Sequence, residues 1–166
     1  MYLCSMGKVI ALDFGIKRTG VAISDDNKTF AFPHSTIETS NIINSIESIV
    51  KKEPIELFVI GYPKKLNNTD FPITKEIGLL KEKITKKFRL DVVLIDERYT
   101  SKMASSVIAK SGLPKNKRQN KALIDKISAT IILQDYFKSL NVRSWFYLSL
   151  EQHSLLEEPF QLPASS

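Results

Sequence analysis

The stretch from Lys8 to Asp25 (KVIALDFGIKRTGVAISD) sets the terms for everything that follows it. An apolar run ends on Asp13, the chain turns through Gly15, and a second apolar run leaves after Gly20. This pattern predicts a buried strand, a tight turn and an antiparallel return, with Asp13 at the exit of the first strand. An ionised acid at that point is a poor choice for stability alone. Partly desolvated, it needs a partner, and a metal ion is one of the few that would offset the cost. Taken singly, Asp13 is equally well explained as a turn former ahead of Gly15.

At 166 residues, 43% of them hydrophobic and 25% charged, the chain suits one domain with a sizeable core. Cys4 is the single cysteine, and with only His34 and His153 beside it an intrachain disulfide or a thiolate–imidazole zinc set is excluded. No stretch reaches membrane-spanning length, and Met1 to Met6 lacks the features of a signal peptide, so a cytoplasmic protein is expected. The net charge of +6 fits a solvated surface or, where the charges cluster, a polyanionic partner.

Further along, Thr29 to Glu38 is interrupted by Pro33, which predicts an edge strand. Ser40 is placed to cap a helix carrying Ile42, Ile43, Ile46, Ile49 and Val50, with Pro54 beyond its end. Ile55 to Ile60 reads as a strand buried on both faces, and Gly61 to Asp70 as a polar loop. Ile73, Ile77, Leu80, Ile84 and Phe88 recur at helical spacing. Val92 to Ile95 predicts another buried strand, running into Asp96-Glu97-Arg98. Thr100 or Ser101 then caps a helix to about Lys110. A basic loop, Lys115 to Lys121, leads into a last helix over roughly Gln119 to Leu140. On it Leu123, Ile127, Ile131 and Gln134 form one stripe, flanked by Ile124, Ile132 and Tyr136. The expected division is a domain over 1–140 and a tail, 141–166, with no assigned structure. The order β-β-β-α-β-α-β-α-α gives a mixed five-stranded α/β sheet, its first three strands antiparallel, with helices on both faces.

In such a sheet the first, fourth and fifth strands are parallel and end at one edge, where open α/β sheets place their sites. Asp13 follows the first and Glu97 the fifth. With the fourth strand between them, the two backbones stand about 10 Å apart, at two strand spacings. Asp96 and Glu97 alternate faces, so only one can face Asp13, and either could pair with Arg98 instead. Asp125 is a candidate third ligand; its helical neighbours Lys121, Ala122, Ser128 and Ala129 are small or polar, which predicts an open face. Taken singly, Asp125 is better explained as an N-terminal helix acid favoured by the helix dipole. Three converging carboxylates repel unless cations intervene. Two Mg²⁺ or Mn²⁺ ions suit all-oxygen ligands and support in-line phosphoryl displacement.

Four segments then bring a family into view: LDFGIKRTGVAISD (Leu12 to Asp25), VIGYPKKLNNTD (Val59 to Asp70), DERYTS (Asp96 to Ser101) and LIDKISATIILQDYF (Leu123 to Phe137). Together they resemble the successive motifs of the YqgF/RuvX family over about Gly7 to Lys138. That family is described as pre-16S rRNA nucleases and, earlier, as Holliday junction resolvases. The resemblance implies an RNase H-like fold and a divalent-metal phosphodiesterase with Asp13, Glu97 and Asp125 as catalytic, metal-binding acids. It makes Lys17, Arg18 and Arg98 candidates for holding substrate phosphate. Two departures stand out: Asn67-Asn68-Thr69 where the family has Asp-Gly-Thr, and Ser128-Ala129 where it commonly has Ala-Ala.

Lys64, Lys65, Lys115, Lys117, Arg118 and Lys121 flank this edge and fit a polyanion whose phosphates they position, or else are solvated loop charges. Tyr62 and Tyr99 fit packing better than base stacking. The expected activity is a metal-dependent endonuclease in 5′-end processing of pre-16S rRNA, on the resemblance alone, with ribosomal precursor particles as partners. The alternatives are a resolvase of four-way DNA and a non-catalytic nucleic-acid-binding factor. A monomer and a homodimer both remain open.

Overall fold

The computed structural model describes residues 7–63, 72–96, 100–110 and 120–154. Its elements are β1 (Lys8–Phe14), β2 (Arg18–Ser24), β3 (Ala31–Glu38), a 3₁₀ turn (Thr39–Asn41), α1 (Ile42–Val50) and β4 (Ile55–Tyr62). They are followed by α2 (Pro72–Phe88), β5 (Asp91–Asp96), α3 (Thr100–Lys110) and α4 (Lys121–Ser154). The sheet order is β3-β2-β1-β4-β5, antiparallel from β3 to β1 and parallel from β1 to β5. The predicted architecture is therefore present, with β4 between the strands that end at Asp13 and Asp96.

Alternation along β1 sorts its side chains between two cores. Ile10 and Leu12 join Phe58 and Ile60 against Ile42, Ile46 and Ile49 of α1 and Ile77, Leu80 and Ile84 of α2. Val9 and Ala11 face the other way with Ala22, Ala31 and Val59, against Ala129, Ile132, Leu133 and Phe137 of α4. β4 is buried on both faces because it feeds both cores. Each large side chain fully buried in them contributes about 1.5–3 kcal/mol. The two hairpins are closed locally. Gly15 N–H donates to the Arg18 carbonyl at 3.1 Å, and a Cβ on Gly15 would lie 2.6 Å from that oxygen. Asp25 Oδ1 accepts the amides of Thr29 and Phe30, each at 2.8 Å. The Phe30 amide, then that of Thr29, holds the Asp25 carboxyl below its usual range.

Pro33 does sit on an edge strand, and the β2–β3 register shifts between Val21 and Ala22, beside its partner position. Four expectations need correction. Ser40 caps nothing: it lies inside the 3₁₀ turn, and α1 starts after Asn41 without a side-chain cap. β5 is not a buried strand. As the other sheet edge it buries only Val92, and Leu94 is exposed. α4 does not stop near Leu140 but runs to Ser154, because no glycine or proline interrupts 121–154. Finally, the small-residue face of α4 is not open. Ser128 and Ala129 are buried because small side chains let the helix settle onto Ala11 and Ala22. Among the described residues, no helix is long and apolar enough to cross a membrane.

On the surface, Glu47 of α1 pairs with Lys87 of α2 and with Lys51 one turn along its own helix. The Lys87 hydrogen bond first, then that from Lys51, lowers the Glu47 pKa to about 2. The stabilisation from this depressed carboxyl is complete above its unfolded value near 4.5 and is lost as pH falls through about 2. Glu47→Gln should thus lower the melting temperature at neutral pH, with the difference from wild type closing between pH 4.5 and 2. Thermal melts across that range check it; a gap that persists at pH 2 would show that the ion pairs are not its source.

Candidate active site

Asp13 continues the alternation of β1 that faces α4, following Val9 and Ala11. Its partner across the β1–β2 ladder is Gly20. Opposed residues share a face, so position 20 points toward α4 as well. There the helix backbone fills the space a side chain would need. A Cβ on Gly20 would fall 1.9 Å from the Asp125 carbonyl oxygen and 2.4 Å from its carbon. The first turns of α4 thus rest directly on the glycine opposite Asp13, and two carboxylates 112 residues apart in sequence share one end of one face.

The helix is set there by residues that the sequence pattern alone did not single out. Asn120 caps it: its Oδ1 accepts the Ala122 amide at 3.0 Å, and its carbonyl accepts from Leu123 and Ile124. The signal was an asparagine one residue before a periodic run. Thr36 of β3, the ladder partner of Gly20, donates its hydroxyl to the Ala122 carbonyl at 2.7 Å.

A second such residue fixes the β1–β2 turn. Thr39 N–H donates to the Lys17 carbonyl at 3.2 Å, and Thr39 Oγ1 donates to the Gly15 carbonyl at 2.7 Å. Since the Thr39 hydroxyl proton is already engaged, the buried Thr19 hydroxyl must donate to Thr39 Oγ1, 2.9 Å away. Nothing in the sequence marks this threonine, because its partners lie 20 and more residues upstream.

Of the cations at this edge, Lys17 and Lys121 are exposed. Arg18, exposed like them, is engaged by an acid: its Nε donates to Asp125 Oδ2 at 3.1 Å, with the two side chains 41% and 24% exposed. Asp96 is ruled out as the acid that faces Asp13. It is the neighbour of Tyr62, in the alternation of Ile60 and Leu94, on the α2 side of the sheet. Tyr62 is half-buried and packs onto that core. Glu97, Arg98, Lys64, Lys65, Lys115, Lys117 and Arg118 lie outside the described residues, as do Tyr99 and the Asn67-Asn68-Thr69 turn. Among the described residues no three potential metal ligands converge; this end of the face carries Asp13, Asp125 and Glu38, the exposed ladder partner of Arg18. A cavity of about 280 Å³ between α1 and α2, lined by Phe14, Leu79 and Lys83, opens on the opposite face and holds neither aspartate.

A mixed sheet in this order, with a carboxylate at the end of β1 and a helix seated over it, belongs to the RNase H-like α/β class. The chain shares this fold with Thermus thermophilus RuvC, solved in complex with a Holliday junction substrate. The TM-score is 0.52 at 11% identity, over 81% of this chain and 96% of that one. Residues 7–139 match the RuvX family, described as Holliday junction resolvase, and the chain belongs to that family. A relative from Bacteroides thetaiotaomicron is 44% identical over 135 residues, 81% of this chain and 98% of its own length. Another, from Christiangramia forsetii, is 42% identical over 134 residues, 79% and 98% of the two chains. Both carry the provisional name pre-16S rRNA nuclease.

Gly20→Ala should force the Asp125 backbone away from β2, since the obstructing atoms are main chain and cannot rotate aside. Overpacking of this kind costs about 1–3 kcal/mol. Denaturant unfolding should show that loss, and Arg18→Ala, which is not overpacked, should not reproduce it. Thr39→Val leaves the buried Thr19 hydroxyl and the Gly15 carbonyl without their partner, a loss of about 1–3 kcal/mol. Thr19→Val combined with Thr39→Val should recover part of it in the same assay.

Proposed function

We propose that this chain is a divalent-metal-dependent endonuclease that processes the 5′ end of pre-16S rRNA, with Asp13, Glu97 and Asp125 as its catalytic carboxylates. One observation carries the reading: Gly20 seats the Asp125 backbone on the face, and at the end, that Asp13 occupies. Hard oxygen donors so placed suit Mg²⁺ or Mn²⁺. Glu97, next after Asp96 in the sequence, is the third carboxylate we assign to this set.

Two such ions, when bound, would supply an activated water and stabilise the leaving oxygen. The protein's own part is placement. Asp13 is fixed by the β1 ladder, Asp125 by its seat on Gly20 and by the Asn120 cap. Lys17 and Lys121 are exposed beside them to take backbone phosphates. Lys64, Lys65, Arg98, Lys115, Lys117 and Arg118 belong to the sequence segments that follow β4 and β5 and precede α4, and are the further cations we assign to phosphate binding. Pre-16S rRNA is preferred as substrate because the relatives carry that name across nearly their whole length. Four-way DNA is the second reading, favoured by the family's description and by the junction in the RuvC complex. Action in the cytoplasm, on ribosomal precursor particles, follows from the first reading. In either case we assign the nuclease to 1–140.

Asp13→Asn and Asp125→Asn should each lower Mg²⁺-dependent cleavage about a hundredfold, the equivalent of roughly 3 kcal/mol of lost charge stabilisation. The assay sets a precursor rRNA fragment beside a synthetic four-way junction. Preference for the junction would reverse the substrate assignment, and undiminished cleavage by both variants would remove the metal site.

A further inference from the structure

The Arg18–Asp125 contact is at odds with a simple division of labour between metal-binding acids and phosphate-binding cations. Arg18 stands in the basic turn, Asp125 among the proposed ligands, yet in the protein alone they hold each other at 3.1 Å. Such a pair solves the problem that converging carboxylates pose without a counter-charge. Arg18 can also let go. It begins β2, its side chain is 41% exposed, and the ladder at its position is made by backbone atoms alone.

We propose that Arg18 is a counter-ion latch: its guanidinium holds Asp125 in the free protein and passes to a nucleic-acid phosphate when Asp125 takes a divalent cation. This rests on the metal-site reading above. Charge drives the exchange. Once Asp125 has exchanged the guanidinium for an ion of twice its charge, Arg18 faces a site that repels it. Its exposed ladder partner Glu38 is then one anion within reach, and the phosphate backbone, with its row of charges, is the other. Cation and nucleic acid each favour the released state, so each raises the affinity for the other, by the same factor. Arg18 is thus a positioning residue in the empty site and a phosphate ligand in the loaded one.

The test measures Mn²⁺ binding to the full chain by calorimetry, with and without a short phosphorothioate RNA oligonucleotide, so that no turnover enters the readout. Without RNA, Arg18→Gln should bind Mn²⁺ at least about fivefold more tightly than wild type, the lower bound of ordinary coupling between sites. Lys126→Gln removes a charge next to Asp125 in sequence and should stay within about twofold. RNA should tighten Mn²⁺ binding in wild type and do so markedly less in Arg18→Gln. An unchanged or weaker Mn²⁺ affinity in Arg18→Gln, or an equal gain in Lys126→Gln, overturns the latch while leaving the metal site standing. Wild type that binds no Mn²⁺, or Asp125→Asn that binds it equally well, overturns the site and the latch together.

Discussion

The backbone of Asp125 lies where a side chain on β2 would otherwise stand, and α4 settles against the strand pair that carries Asp13 because position 20 carries none. Much of the remaining structure is arranged to permit that contact. Ala11, Ala22 and Ala31 keep the strand side of the α4 core shallow, and Ala129 does the same from the helix. Larger side chains at any of these positions would lift α4 off the sheet and carry its acid away from β1. The opposite face, filled by Leu12, Phe58, Ile60, Ile77 and Ile84, has no such restriction and holds the bulkier core. One sheet thus supports a thick, stabilising layer and a thin, positioning one.

The thin layer has costs. Ser128 is buried in it, and its hydroxyl has no hydrogen-bond partner among the described residues, at about 1–3 kcal/mol. Polar bridges compensate at the rim: Thr36 to the Ala122 carbonyl, Asn120 to the Ala122 amide, and Thr39 to the Gly15 and Lys17 carbonyls. All lie at the sheet end where Asp13 emerges. The orientation of that end is governed more by directional hydrogen bonds than by packing.

The mixed sheet, the place of β4 between β1 and β5 and the exit of Asp13 were legible because buried strands announce themselves as apolar runs, and parallel crossovers have one hand. The four motif segments made the family legible too. What the sequence concealed was contact between small groups. Ser128 and Ala129 looked like an open face because their apolarity is slight, whereas their burial depends on the equally small residues opposite. Gly20 read as part of a turn; its use, admitting another segment's backbone, depends on a helix a hundred residues later. Arg18 looked like a phosphate ligand from its neighbours in sequence, and its partner Asp125 is remote from them. The run of α4 past Leu140 is encoded by the lack of any helix breaker, a weaker mark than the cluster of aromatic residues that follows that leucine.

The distance along the chain between Asp13 and Asp125 has a consequence in time. A polypeptide made from its amino end completes all five strands, and the core beneath α1 and α2, before Asn120 and the helix it caps have been synthesised. Until α4 reaches Gly20, the nascent protein carries a nearly finished sheet that still lacks Asp125. The seat on Gly20 and the Arg18–Asp125 pair therefore form last, when the closing helix docks on a sheet already built.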